Sequence, residues 1–514
     1  MKFNISIFIL WALLSCSACG ENGQNPEEPT IDVSLDKRTI QEDGAYQIFY
    51  KTANDITGDP MPYYNEQDKT IYVFYLSTVV GKSGVCLTKT TNFASFGVAS
   101  NIVQVGGTGS WDTGIGTGSC IKNGSQYVFF YTGFSNQSPS SVVLKAVSND
   151  MRTWTKVPSF RIEAPNNFDR NEFRDPCVYF DDTRGKYVML VGGRKLGKAS
   201  IVRFESADLN DWQAIEPLTA TTSDNPQVYE VETDTEIHEC PDIFKMGDKW
   251  YLVFSRINRD MHRKTYYRIA DNPNGPWKIA RDADGHHETF DGLYLYAGKT
   301  SSDGTARYVS GWASTGQSFN ASNELDWGGC LVTHEIVQQS NGKLYPKISD
   351  AVDAKFSKSV EYKDIKRTGN VSGSNGSFSL NGGKVIFNRN AASVKIEMTI
   401  NASQVTKNFG IAFGAYENQQ DTYDIKFDLT AENQYGLPTL FLFHDSKEHN
   451  FTPLIVPQNK IFNVKIIIEK SICAMYINNN VAFTNRITNM NQNPWMIFAN
   501  EGTVKFSDIK IYKQ

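Results

Sequence analysis

KTIYVFYLS (69–77), GSQYVFFYTG (124–133), RGKYVMLVGG (184–193), GDKWYLVFSR (247–256) and TARYVSGWAS (305–314) share one design, an aromatic residue leading a strand-like run. Their tyrosines, Tyr72, Tyr127, Tyr187, Tyr251 and Tyr308, lie 55, 60, 64 and 57 residues apart. A repeat of this length built of strands and turns implies propeller blades of four strands with long loops. Each tract follows a turn and an earlier strand, as in CIKNG and CVYFDDTRG. SNDMRTWTK (148–156), SADLNDWQ (206–213) and ADNPNGPWK (270–278) trail three of the tracts and read as outer hairpins of blades two, three and four. Five tracts imply a five-bladed propeller over about 44–350.

Beyond about residue 355 the texture changes to alternating strands: SVKIEMTI (393–400), YDIKFDL (423–429), FNVKIIIEK (462–470) and VKFSDIKIY (504–512). ICAMYINNNVAFT (472–484) reads as a hairpin with Asn478–Asn480 at its turn. Residues 355–514 are therefore expected to form an antiparallel β-sandwich, and the whole protein to be all-β. The composition agrees. The chain has 514 residues, 12% aromatic, 21% charged, with 39 Gly, too aromatic and too weakly charged for disorder. A net charge of −5 offers no basic field for nucleic acid.

The first 15 residues, MKFNISIFILWALLS, place one Lys before an apolar stretch too short to span a bilayer. Ala12-Leu13-Leu14-Ser15-Cys16 has the pattern of a bacterial lipoprotein signal, with Cys16 as the lipid anchor. Cys19 fits less well, because Cys16 would then occupy a position usually taken by Leu. Residues 1–19 are read as signal and anchor, and 20–43 as tether and lead-in. The expectation is an exported chain, periplasmic or at the cell surface, lipid-anchored to the outer membrane. The remaining cysteines form no CxxC pair and sit in apolar runs, which favours buried thiols over a metal site.

Three acidic residues open three of the blades. Asp59 stands 13 residues before Tyr72, Asp175 stands 12 before Tyr187, and Glu239 stands 12 before Tyr251. The first strand of every blade lines a propeller's central channel, so the three carboxyl groups should converge at one mouth. Converging carboxylates suit glycosidic bond cleavage. One must be ionised to attack or to activate water, and another must hold a proton for the leaving oxygen. Crowded like charges raise at least one pKa, which supplies such an acid. For any one of them alone, a turn cap or salt bridge is the simpler role. His238, beside Glu239, alternates away from the channel, and His286-His287 is a solvated loop pair.

These motifs resemble glycoside hydrolase family 32, the retaining fructan hydrolases and invertases, in a divergent bacterial lipoprotein branch. Phe173-Arg174-Asp175-Pro176 is similar to the family's FRDP and Glu239-Cys240-Pro241 to its Glu-Cys motif. Trp111-Asp112-Thr113-Gly114 with Thr117-Gly118-Ser119 resembles its second-blade substrate loop, and Phe290-Asp291-Gly292 with Tyr296-Ala297 its last blade. Two positions depart from it. Ile56-Thr57-Gly58-Asp59-Pro60-Met61-Pro62 retains only Asp-Pro of the motif Trp-Met-Asn-Asp-Pro-Asn-Gly, and Thr333-His334-Glu335 replaces Pro-Arg-Glu. The resemblance implies a five-bladed propeller followed by a β-sandwich. It implies cleavage of β-fructosidic bonds in an oligo- or polysaccharide, with no metal or cofactor. Asp59 would be the nucleophile, Glu239 the acid/base and Asp175 the transition-state stabiliser. Arg174 would hold the charges, and Trp111, Asp112, Ser119 and Trp312 would contact sugar. Two other readings fit the same acids: an inverting arabinofuranosidase- or xylosidase-like hydrolase of the family 43 type, and a non-catalytic glycan-binding lipoprotein.

The anchor expectation has a direct check. Cys16→Ala should move the protein from the membrane to the soluble fraction, and Cys19→Ala should leave it membrane-bound.

Overall fold

The computed structural model describes residues 31–35, 44–53, 55–78, 84–219, 229, 237–257, 263–280, 288–315, 327–405, 407–415, 422–488 and 492–514. Cys16, Cys19, most of the tether and His286-His287 lie outside them.

The five tracts are the second strands of five antiparallel four-stranded blades. The inner strands are Thr57–Asn65, Gly114–Asn123, Phe168–Asp181, His238–Met246 and Tyr296–Ser302, in blades I to V. Each blade is one continuous stretch of chain. The ring closes where Thr57 of blade I pairs with Gly329 of blade V, and Thr57 Oγ1 donates to the Gly329 carbonyl at 2.8 Å. The second strands are buried almost throughout, as in Gln126–Phe134, because neighbouring blades cover both faces. That is why they read as continuous apolar runs rather than as alternating ones. Phe74 of blade I stacks on Phe129 of blade II with centroids 4.8 Å apart. The three trailing motifs lie between the third and fourth strands of their blades, as the sequence implies.

A six-residue helix, Asp350–Lys355, separates the propeller from the second domain. Twelve strands between Lys358 and Lys513 form the sandwich. Its last strand, Trp495–Lys513, is 19 residues long. The first half pairs with Phe409–Phe413 and the second with Ser393–Val405, so one strand serves both layers. Between the layers lies a core of alternating residues such as Ile396, Met398, Ile400, Val464, Ile466 and Ile468. The Asn478–Asn480 turn closes its hairpin with Asn478 and Asn479 both at positive φ. Cys177, Cys240, Cys330 and Cys473 are buried, and burial pushes the Cys177 thiol up to about 12.

The two domains share a polar seam. His334, the residue that departs from the family motif, joins Asp291 Oδ2 at 2.8 Å on one ring nitrogen and Tyr476 of the sandwich at 3.0 Å on the other. Asp291 Oδ1 accepts from the Thr484 amide at 2.8 Å. The lead-in is fastened here too. The amides of Gln47, Ile48 and Phe49 donate to the buried Glu469 carboxylate at 2.7, 2.9 and 3.0 Å. Three donors on one buried carboxylate leave an expensive gap if it is removed. Glu469→Ala should lower the unfolding free energy by about 2–4 kcal/mol in urea titration. A loss below about 1 kcal/mol would show that the lead-in is held by other contacts.

Candidate active site

All five inner strands carry the same irregularity. The register with the second strand slips between Gly58 and Met61, Ile115 and Gly118, Arg174 and Cys177, Glu239 and Asp242, and Tyr296 and Lys299. Each slip is a β-bulge, two residues where the partner offers one, and a bulge re-aims a side chain. The first residue of the bulge is left-handed in four blades: Asp59 (φ 45°), Asp175 (φ 67°), Cys240 (φ 52°) and Ala297 (φ 54°). Side chains other than glycine pay about 1–2 kcal/mol for that conformation. In three blades the second bulge residue is proline, Pro60, Pro176 or Pro241, which removes a donor the interrupted ladder could not use.

The bulges define two layers. One holds Asp59, Asp175 and Cys240; the other, one residue earlier, holds Arg174, Glu239 and Tyr296. This corrects the equivalence drawn from tyrosine spacing. Glu239 and Asp175 share an offset of 12, yet Glu239 is the counterpart of Arg174. Two differences produce this: the hairpin turn has two residues between Met246 and Lys249 in blade IV against four between Asp181 and Lys186 in blade III, and Tyr251 is the third residue of its strand where Tyr187 is the second, so the offset falls by one. Alignment on the prolines of RDP and ECP gives the true equivalence.

Asp59, Asp175 and Glu239 all line one cleft of about 530 Å³ at the channel mouth. Asp59 accepts from Thr117 Oγ1 on one oxygen and from Trp312 Nε1 on the other, both at 2.7 Å. Both bonds favour its ionised form, but burial outweighs them. Together with the charges of Asp175 and Glu239, burial pushes its pKa up to about 7. Asp175 Oδ2 accepts from the Cys240 amide at 2.9 Å. Burial raises its pKa as well, against the lowering pull of Arg174. Glu239 stands between two donors of its own layer: Arg174 Nη2 meets Oε1 at 2.9 Å, and the Tyr296 hydroxyl donates to Oε2. Arg174 thus bridges blades III and IV, and Tyr296 ties blade V to them.

The other expected sugar contacts fall elsewhere. Trp111 is half-buried beneath the Arg161 guanidinium, 4.2 Å from its ring centroid. Asp112 is buried, ion-paired with Lys156, and accepts from Tyr131. Ser119 Oγ accepts from the Val178 amide at 2.9 Å, joining blades II and III. None of the three lines the cleft. Trp312 is buried and reaches the site through its N–H, not as a stacking face. His238 is buried and bonded to Tyr229, away from the cleft, as alternation implies. Thr117, Tyr296, Arg263 and Trp327, which do line the cleft, were not singled out as site residues. Thr117 and Tyr296 sit at the bulges of blades II and V, the signal that could have found them; Arg263 and Trp327 lie at or just before the start of third strands and carry no such signal.

A five-bladed propeller with this acid cluster defines a class of glycoside hydrolases. The family model "Glycosyl hydrolases family 32 N-terminal domain" matches residues 102–347. The model "GH32, BT1760-like, C-terminal domain" matches residues 342–511. The chain belongs to glycoside hydrolase family 32, which sets the family 43 reading aside. It is 24% identical over 324 residues to sucrose-6-phosphate hydrolase of Escherichia coli, covering 60% of each chain. The chain thus spans about 60% of the length of that curated relative. Exo-inulinase of Aspergillus awamori superposes with a TM-score of 0.67 at 16% identity, covering 95% of this chain and 99% of that one. Fructan 1-exohydrolase IIa of Cichorium intybus gives 0.66 at 16%, covering 94% and 98%.

The raised Asp59 pKa has a thermodynamic consequence. Between about pH 4, where an unfolded Asp ionises, and about pH 7, the folded chain holds a proton that the unfolded chain has lost. Stability therefore falls as pH rises through that window. Asp59→Asn removes the penalty and keeps a hydrogen-bonding side chain. It should stabilise the protein by about 1–2 kcal/mol at pH 8 and by much less at pH 4, read from urea unfolding at both pH values. An equal effect at both would contradict the raised pKa.

Proposed function

We propose that the protein is a retaining hydrolase of β-fructosidic bonds in fructans or sucrose-like oligosaccharides. The observation that carries this reading is the unequal setting of two carboxyl groups in one cleft. Asp59 sits on the floor with both oxygens held by fixed donors. Glu239 stands one layer away, between Arg174 and Tyr296.

Asp59, ionised, attacks the anomeric carbon of the fructosyl unit, and the bond to the leaving oxygen breaks. Glu239 gives its proton to that oxygen. A covalent fructosyl ester on Asp59 results. Glu239 then takes a proton from water, the water attacks the same carbon, and Asp59 leaves as a carboxylate. Asp175, held by the Cys240 amide, binds ring hydroxyls and stabilises the positive charge developing at the transition state. Arg174, through its bond to Glu239, keeps that carboxyl aimed. The same proposal places the chain outside the cytoplasm, lipid-anchored through Cys16. The lead-in supports the geometry of such a tether. Arg389 of the sandwich binds Asp32 at 3.1 Å and Ser34 at 2.9 Å, so the chain would leave from the sandwich side.

Incubation with levan, inulin and sucrose, with identification of the released sugar, tests the substrate class. Asp59→Asn should abolish turnover on every substrate. Glu239→Gln should lose about 10²–10⁴-fold, less for the first step with a fructosyl fluoride, whose leaving group needs no proton. Asp175→Asn should lower kcat more than it raises KM. For the free enzyme, kcat/KM should climb as pH rises through about 7, where Asp59 ionises. Rapid NMR of the first product should show retention at the anomeric carbon; net inversion, or near-parental activity in Asp59→Asn, would overturn the mechanism.

A further inference from the structure

The Arg174 guanidinium hangs between two carboxylates. Its Nε and Nη2 both reach Glu239 Oε1, at 3.2 and 2.9 Å, and its Nη1 is ion-paired with Glu172 Oε2. Glu172 is not part of the cleft lining. Its side chain is 35% exposed, against 18% for both Arg174 and Glu239. The backbone on either side of it is tied to blade II. Asn171 Oδ1 accepts from the Ser140 amide at 3.1 Å and from its hydroxyl at 2.9 Å, and the Phe173 carbonyl accepts from Ser141 Oγ. Glu172 therefore grips Arg174 from behind, outside the space a substrate fills.

This arrangement answers a conflict in the chemistry. A guanidinium beside a carboxyl group favours its ionised form, by about 1–3 pKa units when it acts alone, whereas a general acid must hold a proton. Arg174 does not shed its charge. Burial works against that charge, but Glu239, Asp175 and Glu172 hold its pKa above the ordinary arginine value. Among the described residues, the other charged or titratable groups around Glu239 are Asp59 of blade I, Asp175 of blade III, Tyr296 and Lys299 of blade V, and Cys240 and Arg263 of its own blade. Glu172 is the only anion among the described residues that pairs with Arg174 from outside the cleft.

We infer that Glu172 is a positioning residue: it fixes the Arg174 guanidinium and takes up part of its positive charge, so that Glu239 can carry the proton that the leaving oxygen receives. The inference rests on the fructosidase reading above. Protonation of the leaving oxygen depends on Glu172; attack by Asp59 does not.

The test is kcat/KM of the full-length protein and two variants, on whichever of levan, inulin or sucrose the parent cleaves and on β-fructosyl fluoride, whose leaving group needs no proton. Glu172→Gln keeps the shape of the side chain and removes its charge. It should lose about 5–20-fold on the fructoside at pH 7 and stay within about 2-fold of the parent on the fluoride. Its pH optimum on the fructoside should move down by about 0.5–1 pH unit. Glu172→Asp restores the charge and should recover most of the rate and the parent's optimum. An equal loss on both substrates would reduce Glu172 to a structural role and overturn the inference. So would a Glu172→Gln variant with the parent's rate and pH optimum on the fructoside. A parent that cleaves no fructoside would overturn the hydrolase reading, and this inference with it.

Discussion

A β-bulge at the mouth of each inner strand is the constraint on which the site depends. An ordinary strand alternates its side chains between two faces, so neighbouring residues cannot both address one cleft. The extra residue breaks that rule locally. It lets Arg174 and Asp175, and likewise Glu239 and Cys240, line the same cavity from consecutive positions. Fivefold repetition of one backbone irregularity then yields two layers of side chains with different chemistry. The left-handed conformations at Asp59 and Asp175 are held because the surrounding blades pack on every side and leave the backbone no alternative.

The same enclosure sets the electrostatics. Asp59 is solvated by two protein donors in place of water, and burial still raises its pKa to about 7. Such a group costs stability whenever it is ionised, and an attacking carboxylate has to be ionised. Structure elsewhere offsets that cost. The sandwich closes over the propeller through His334, Asp291 and Glu469, and those contacts involve no residue of the cleft.

Much of the fold was legible because the blades repeat. Buried second strands announce themselves as apolar runs with an aromatic at the head, and the sandwich strands announce themselves by alternation. The three acids were legible for the same reason. The error over Glu239 is instructive. Spacing to a tyrosine includes the hairpin turn and the tyrosine's own place in the second strand, and both vary between blades, whereas in blades III and IV the proline is part of the bulge itself. The placement of Trp111, Asp112 and Ser119 outside the cleft lining was not legible, because a motif near a substrate loop does not say which way its side chains face. Asp112 answers to Lys156 and Ser119 to Val178. The contact of Trp327 with Gly58 was not legible: the two lie 269 positions apart in the chain, and only ring closure brings them together.

The central claim is that Asp59 is the carboxylate that bonds to the sugar. Its most direct test is mass spectrometry of Glu239→Gln after brief exposure to β-fructosyl fluoride, followed by proteolysis and peptide mapping. The account predicts that one fructosyl residue accumulates on the peptide bearing Asp59, as an ester cleaved by mild base. A label on the peptide bearing Asp175, or turnover of the fluoride with inversion and no labelled protein, would contradict it.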